Sequence, residues 1–184
     1  MDPVPSRRLT ADMTTSTPDT GSPPVVRLEP ADVLRTIAKR SFCTLATTSA
    51  RQRPHVAGVL YTAQGPTLYV STDRPSRKAR NIAENPRVAV CIPVRRVPVG
   101  PPSTVQFQGV AELLAVDDPH IVPLMEGGSL KKITSHGELD LPDVCFVRIT
   151  PVGTAHTYGL GMSLLRLMRD PLNAAGTVQL TTAV

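Results

Sequence analysis

Residues 42–71 read FCTLATTSARQRPHVAGVLYTAQGPTLYVS, and the fold follows from how this stretch is punctuated. Three β-rich runs, 42–47, 55–61 and 67–71, are separated by a polar turn (Ser49, Ala50, Arg51, Gln52) and a second turn (Ala63, Gln64, Gly65). Short runs rich in Val, Leu, Thr and Tyr, joined by polar or glycine-bearing links, predict an antiparallel meander. Toward the N-terminus, Pro30 suits a first helical turn, and Val33, Leu34 and Ile37 form an apolar stripe that predicts a helix to about Arg40. Toward the C-terminus, 76–85 reads as a helix with Ser76 at the N-cap; it stops at Asn85 because a residue before proline avoids helical geometry. Residues 87–93 and 104–116 are two further strands, with Gly109 expected as a bulge or bend in the longer one. A proline-rich loop, 98–102, joins them. Residues 117–143 are mixed, 144–150 is the last clear strand, and 162–168 reads as a short amphipathic helix ended by Asp170 and Pro171. Six strands at hairpin spacing with few helices predict a mainly β protein closed as an antiparallel barrel.

Composition sets the bounds. A chain of 184 residues with 41% hydrophobic and 19% charged residues suits one globular domain. Aromatics are only 3% and Trp is absent, so the core must be built from Val, Leu, Ile and Ala. Residues 1–25, rich in Pro, Ser, Thr and Asp, read as a disordered tail; 26–160 form the barrel domain, and 161–184 a short helix and tail. No apolar run approaches the roughly 20 residues of a membrane span. The first residues lack the apolar block of a secretory signal. The three cysteines, Cys43, Cys91 and Cys145, are odd in number and widely spaced. They fit neither a disulfide framework nor a zinc site, so a reducing, cytoplasmic setting is expected.

The formal charge is +5, and its location decides what it means. Residues 71–96 hold Arg74, Arg77, Lys78, Arg80, Arg87, Arg95 and Arg96 against Asp73 and Glu84, an excess equal to that of the whole chain. A nucleic-acid binder spreads phosphate contacts along a face, with aromatic stacking or a groove-reading helix. One short basic segment without an aromatic residue fits a pocket for a small anion better, so no nucleic-acid partner is expected. Arg77 and Lys78 follow the Ser76 cap and so occupy the first turn of a helix. The macrodipole disfavours cations there by a few tenths to about 1 kcal/mol each. A bound anion would offset that cost and also meet the free N–H groups of the turn, with Ser71 and Thr72 supplying hydroxyls nearby. On the residues alone, a solvated helix face accounts for the cluster equally well.

The run 76–88, Ser-Arg-Lys-Ala-Arg-Asn-Ile-Ala-Glu-Asn-Pro-Arg-Val, resembles the signature of the pyridoxamine 5′-phosphate oxidase-like split-barrel superfamily. There a serine–arginine–lysine turn after the third strand holds the FMN phosphate, and a helix leads into an asparagine–proline–arginine–valine strand start. The resemblance covers about 42–112 and implies an antiparallel six-stranded split β-barrel that dimerises around its cofactor. By position it assigns Arg77 and Lys78 to the phosphate, with Ser71 and Thr72 closing the pocket. It also sets Ala57, Gly58, Val59, Leu60 and Tyr61 beside the isoalloxazine ring, and Thr104 and Gln106 near it from another strand. Lys78-Ala79-Arg80-Asn81 is similar to the lysine–x–arginine–asparagine pattern of the flavin/deazaflavin oxidoreductase branch of actinobacteria. That adds Arg80 and Asn81 to the cofactor set and coenzyme F-420 beside FMN as cofactor. The arginine- and histidine-rich C-terminus by which authentic pyridoxamine phosphate oxidases grip substrate phosphate has no counterpart in 161–184. Vitamin B6 oxidation is therefore not expected.

The remaining candidates each have a bland reading. His55 and His156 are the histidines nearest strands; lone histidines are more often packed or surface residues than ligands. His156 and Tyr158, the latter in a Tyr-Gly-Leu-Gly run, are the substrate-side candidates. Cys43 and Cys91 read as small core residues. No acid–base pair, nucleophile or metal-ligand spacing stands out. The absence of a catalytic side chain suits a flavin enzyme, in which the cofactor carries the hydride. The expected activity is hydride transfer between FMN or coenzyme F-420 and a planar conjugated small molecule, which would stack over Ala57 and Gly58. The alternative is a non-catalytic flavin or haem carrier of the same fold.

Overall fold

A computed structural model describes residues 27–95, 100–101 and 103–180. The segment expected to be a disordered tail, most of the proline-rich loop and Arg96 lie outside these described residues. The elements run α1 (Pro30–Ala38), β1 (Phe42–Thr48), β2 (Pro54–Leu60), β3 (Thr62–Gln64), β4 (Thr67–Asp73), α2 (Arg77–Glu84), β5 (Arg87–Val94), β6 (Ser103–Leu114), α3 (Val122–Glu126), β7 (Val144–Tyr158), α4 (Leu164–Arg169) and β8 (Ala175–Gln179). The eight strands form one antiparallel sheet in the order β2-β1-β5-β6-β7-β4-β3, with β8 pairing β7 beyond β4. The sheet curls so that β2, at one end, approaches β4 near the other without pairing to it. This unpaired seam makes the barrel split.

Alternation along each strand gives the sheet two chemically different faces. Cys43 and Leu45 of β1, Val88, Val90 and Ile92 of β5, Val105 and Phe107 of β6, and Val147 and Ile149 of β7 fill the interior. Helix α1 closes one end of the barrel with Val33 and Ile37, both fully buried. Tyr61 is riveted there by donating its hydroxyl hydrogen to the Ile37 carbonyl at 2.7 Å. A side chain buried this way contributes roughly 1.5–3 kcal/mol, so the core is carried by aliphatics, as the aromatic-poor composition predicts. A second cluster, with Tyr69, Leu114, Ile121, Leu130, Ile133 and Phe146, covers the outside of β4 and β7 with the 116–133 segment. By contrast, the outer face of β2-β1-β5-β6 and the distal half of β7 carries Phe42, Val56, Leu60, Val110 and Val152, all exposed.

Three sequence expectations need correction. First, Ala63 and Gln64 belong to a short strand, β3, that pairs Leu68 and Thr67; only Gly65 and Pro66 make the turn. Second, the irregularity expected at Gly109 lies elsewhere. Phe107 pairs Ala155 and Gln108 pairs Val152, so two extra residues, Gly153 and Thr154, bulge from β7, and Gly153 takes the φ of +68° that glycine permits. Gly109 has a different reason: a Cβ there would sit 2.8 Å from the Thr150 carbonyl oxygen. Third, β7 does not end at Thr150 but runs through Pro151 to Tyr158, and the C-terminal segment adds β8 beside it. Pro151 falls between the end of the β4 pairing at Ile149 and the start of the β8 pairing at Thr154. There β7 has a partner on one side only, so a missing N–H is tolerated.

Candidate cofactor site

Helix α2 forms as its sequence dictates. Ser76 has the extended conformation of an N-cap, and its hydroxyl oxygen accepts the Ala79 N–H at 3.3 Å. Its own hydrogen goes to the Asp73 carbonyl at 2.8 Å. Thr72, buried, stands 3.2 Å from the same hydroxyl. The first turn contains no acidic residue, so Arg77 and Lys78 meet the positive end of the dipole unopposed. Ile82 and Ala79 pin the helix to the barrel. The Asn81 side-chain amide, buried, donates to the Thr47 hydroxyl on β1 at 2.9 Å.

Consecutive positions on a helix point about 100° apart, and this divides the two cations. Lys78 lines a hollow of about 240 Å³ in the seam, together with Gly58, Val59, Leu60, Ser71, Ile133 and Glu138. Arg77 lines a neighbouring hollow of about 400 Å³ with Ser49, Ala50, Arg51, Arg53, Pro54, His55, Arg80, Asn81 and Glu84. Thus Gly58, Val59, Leu60, Ser71 and Lys78 come together at the seam. Arg77, Arg80 and Asn81 stand together beside it. Thr72 lends its hydroxyl to the Ser76 cap. Val59 and Tyr61 are core residues and Ala57 packs against the core; of these three only Val59 lines the seam hollow. The β2 edge facing β4 is unpaired, which leaves a row of backbone donors and acceptors there.

The space expected above Ala57 and Gly58 is occupied differently. The Phe42 ring lies over Gly58, where a Cβ would meet its Cε2 and Cζ at 3.0 Å. Thr104, Gln106, His156 and Tyr158 stand away from the seam, on strands beyond β1 and β5. Gln106 and His156 are cross-strand partners lining a third hollow, of about 460 Å³, with Thr44, Ala46, Cys91, Gln108 and Thr154. Tyr158 packs with Met162, Leu167 and Ala174 of the C-terminal cluster. Within one chain, then, the structure does not bring the substrate-side candidates to the cofactor-side ones.

Sequence reasoning missed Arg51, Arg53, Phe42 and Glu138. The arginines were visible as a doubly cationic turn, whereas nothing in the 117–143 segment signals that it folds over the seam. Glu138 accepts the His136 N–H at 2.7 Å, which holds its carboxylate below the usual range. Burial pushes the Cys43 thiol up to about 12 and raises Cys91 and Cys145 as well; Cys91, expected in the core, instead lines an outer hollow and is half-buried. Among the described residues no group of His, Cys, Asp or Glu is placed to hold a metal ion, and no helix is long and apolar enough to cross a membrane.

The family model for pyridoxamine 5′-phosphate oxidase matches residues 30–157. The chain belongs to that family, and the split barrel described above is its fold. A pyridoxine/pyridoxamine 5′-phosphate oxidase from Alkalilimnicola ehrlichii is 48% identical over 66 residues, which are 34% of this chain and 31% of the relative; the chain thus spans about a third of that relative. Among solved structures, HutZ, the haem storage protein of Vibrio cholerae, superposes with a TM-score of 0.58 at 23% identity, over 69% of this chain and 92% of the other. An FAD-binding protein from Mesorhizobium loti gives 0.55 at 20% identity, over 68% and 91%. Likeness at these identities concerns the fold.

Proposed function

We propose that the protein is a flavin- or deazaflavin-dependent oxidoreductase whose cofactor ring lies along the β2 edge of the seam. The observation that carries this reading is the seam itself: an unpaired strand edge with the cationic first turn of α2 at one end. Backbone groups of 57–61 would orient a tricyclic ring, and Lys78 and Ser71 would hold the proximal phosphate against the free N–H groups of the helix, with Arg77 reaching it from the neighbouring hollow. FMN and coenzyme F-420 share that ring and phosphate, so the same residues serve either. Bound there, the cofactor supplies hydride transfer; the chain's part is to bind, orient and exclude water. The acceptor is a planar conjugated molecule, with Phe42, the aromatic side chain on the rim at Gly58, beside it.

The site is completed by a second copy of the chain. The outer face exposes five large apolar side chains, Phe42, Val56, Leu60, Val110 and Val152, which pairing with a second copy would cover. Burying it against its own copy would carry Thr104, Gln106 and His156 of one chain toward the seam of the other. A second reading, haem storage, is favoured by one observation: His156 is exposed and lines a hollow of about 460 Å³ on that same face.

The decisive experiment is the spectrum of the purified protein, followed by titration with FMN, coenzyme F-420 and haem. Reduced cofactor is then offered quinones and tetrapyrroles as acceptors, and oxidised cofactor is separately offered pyridoxine phosphate as a hydride donor. The expected result is flavin or deazaflavin binding, turnover of several flat acceptors, and little turnover of pyridoxine phosphate. Arg77→Ala with Lys78→Ala should weaken cofactor binding by several kcal/mol, at about 1.5–3 for each charged hydrogen bond. A Soret band with no flavin affinity would favour the haem reading, and exclusive turnover of pyridoxine phosphate would overturn the substrate assignment.

A further inference from the structure

The hollow beside the seam has a charge that one phosphate does not explain. Arg51 and Arg53 come from the β1–β2 turn, and Arg77 and Arg80 from the exposed side of α2. Four guanidinium groups therefore line a cavity of about 400 Å³ whose one carboxylate is Glu84. That carboxylate is engaged in holding the two elements together, since its Oε2 accepts the Ala50 N–H at 3.0 Å. None of the four arginines makes an ion pair among the described residues; the pairs there are Arg35–Asp32, His136–Glu138 and Arg148–Glu112. His55 stands in the same wall and adds a further positive charge when protonated.

Like charges held together repel, and nothing in the fold demands them here. The turn is shaped by backbone bonds, with Ser49 N–H to the Arg53 carbonyl at 3.1 Å and Gln52 N–H to the Ser49 carbonyl at 2.9 Å. These bonds survive any side chain at 51 or 53. Guanidinium forks suit phosphate and carboxylate oxygens and bind them in pairs. Since Arg77 and Lys78 are adjacent in the first turn of α2, a ligand anchored by its phosphate at the seam has this second hollow directly beyond the anchor.

Resting on the cofactor reading above, we propose that this hollow is a second anion subsite. It takes the anionic extension of a cofactor that carries further negative groups beyond its first phosphate. FMN, which ends at that phosphate, leaves the subsite empty. Two cofactor types supply such an extension: a flavin dinucleotide, through its second phosphate, and a deazaflavin with a carboxylate-bearing tail. A nucleic-acid strand is disfavoured because the hollow is confined to one turn and one helix and has no Phe, Tyr or Trp in its lining on which a base could stack.

The test uses the full chain and the double variant Arg51→Gln with Arg53→Gln, which keeps the turn and removes two charges. Affinities are measured by fluorescence titration for FMN, FAD, tail-bearing coenzyme F-420 and the same deazaflavin without its tail. Inorganic pyrophosphate binding is followed separately by calorimetry, as a probe that needs no ring. We expect the variant to bind FMN and the tail-free deazaflavin as the wild type does. It should lose at least about tenfold in affinity for whichever extended cofactor the protein takes, and for pyrophosphate. The salt dependence of binding should fall in parallel. FAD and tail-bearing F-420 are separate arms, so the one that loses affinity identifies the source of the extension. Unchanged affinity for both extended cofactors, or wild-type protein that does not bind pyrophosphate, overturns the subsite. Pyrophosphate binding that is lost in the variant, with no flavin or deazaflavin bound at the seam, leaves the subsite standing and overturns the cofactor reading instead.

Discussion

Replacing Asn81 separates two roles for one residue. Resemblance to the flavin/deazaflavin branch puts Asn81 among cofactor contacts, while the structure has its amide donating to Thr47 at 2.9 Å with both side chains buried, at 5% and 2% exposure. That bond fastens α2, and with it Arg77 and Lys78, to strand β1. Asn81→Ala leaves the Thr47 hydroxyl without its donor in a buried place, which costs about 1–3 kcal/mol. Thr47→Val keeps the shape and leaves the Asn81 amide unpartnered, at a similar cost. Once Asn81 is gone, however, the change at Thr47 removes a group that is already a liability. The double variant should therefore be more stable than additivity requires, with a coupling of about 1–2 kcal/mol. Urea unfolding followed by far-UV circular dichroism measures the cycle, at one protein concentration because assembly would shift the midpoint. Additivity to within about 0.5 kcal/mol would refute the bond as a structural rivet. Loss of cofactor affinity at unchanged stability would make Asn81 a ligand contact instead.

Gly109→Ala should destabilise by about 1–3 kcal/mol, because its Cβ would press on the Thr150 carbonyl at 2.8 Å. Gly58→Ala should cost less, since the Phe42 ring edge can swing aside; equal midpoint shifts in urea for the two would contradict this. Alkaline pH gives a third check. Cys43 is raised from 9.0 to about 12 and Tyr61 is raised from its ordinary value, both first by burial. Their contribution is full below pH 9, the ordinary thiol value, and is lost as pH climbs toward about 12. The urea midpoint should fall over that window, and Cys43→Ala should flatten part of the fall; an unchanged slope would remove Cys43 from the account. Finally, Val56→Lys with Val152→Lys places charge on the exposed apolar face. Sedimentation at micromolar concentration should show the wild type as a dimer and this variant as a monomer, and two identical sedimentation profiles would count against a self-paired face.

The sequence by itself determined what depends on near neighbours. The β-rich runs and the links between them located β1, β2, β4, β5 and β6. Ser76, Asn85 and Pro86 bracket α2, and the cations after Ser76 fall in its first turn. These features need no knowledge of the rest of the chain, since a cap, a breaker or a period acts within a few residues. Tertiary structure decided what depends on which edges meet. Pro151 reads as a strand end, yet β7 passes through it because pairing is one-sided there. Residues 175–179 have little strand character of their own and become β8 by lying against 154–158. The site divides in the same way. Lys78 and Arg77 are one step apart in sequence but face different hollows. Arg51 and Arg53 join Arg77 because the Ala50 N–H finds Glu84 across 34 residues. Thr104 and Gln106 are separated from the β2 edge by β1 and β5, and His156 and Tyr158 by β6 as well. Local chemistry encodes an element's faces; only the closure of the sheet decides what each face meets.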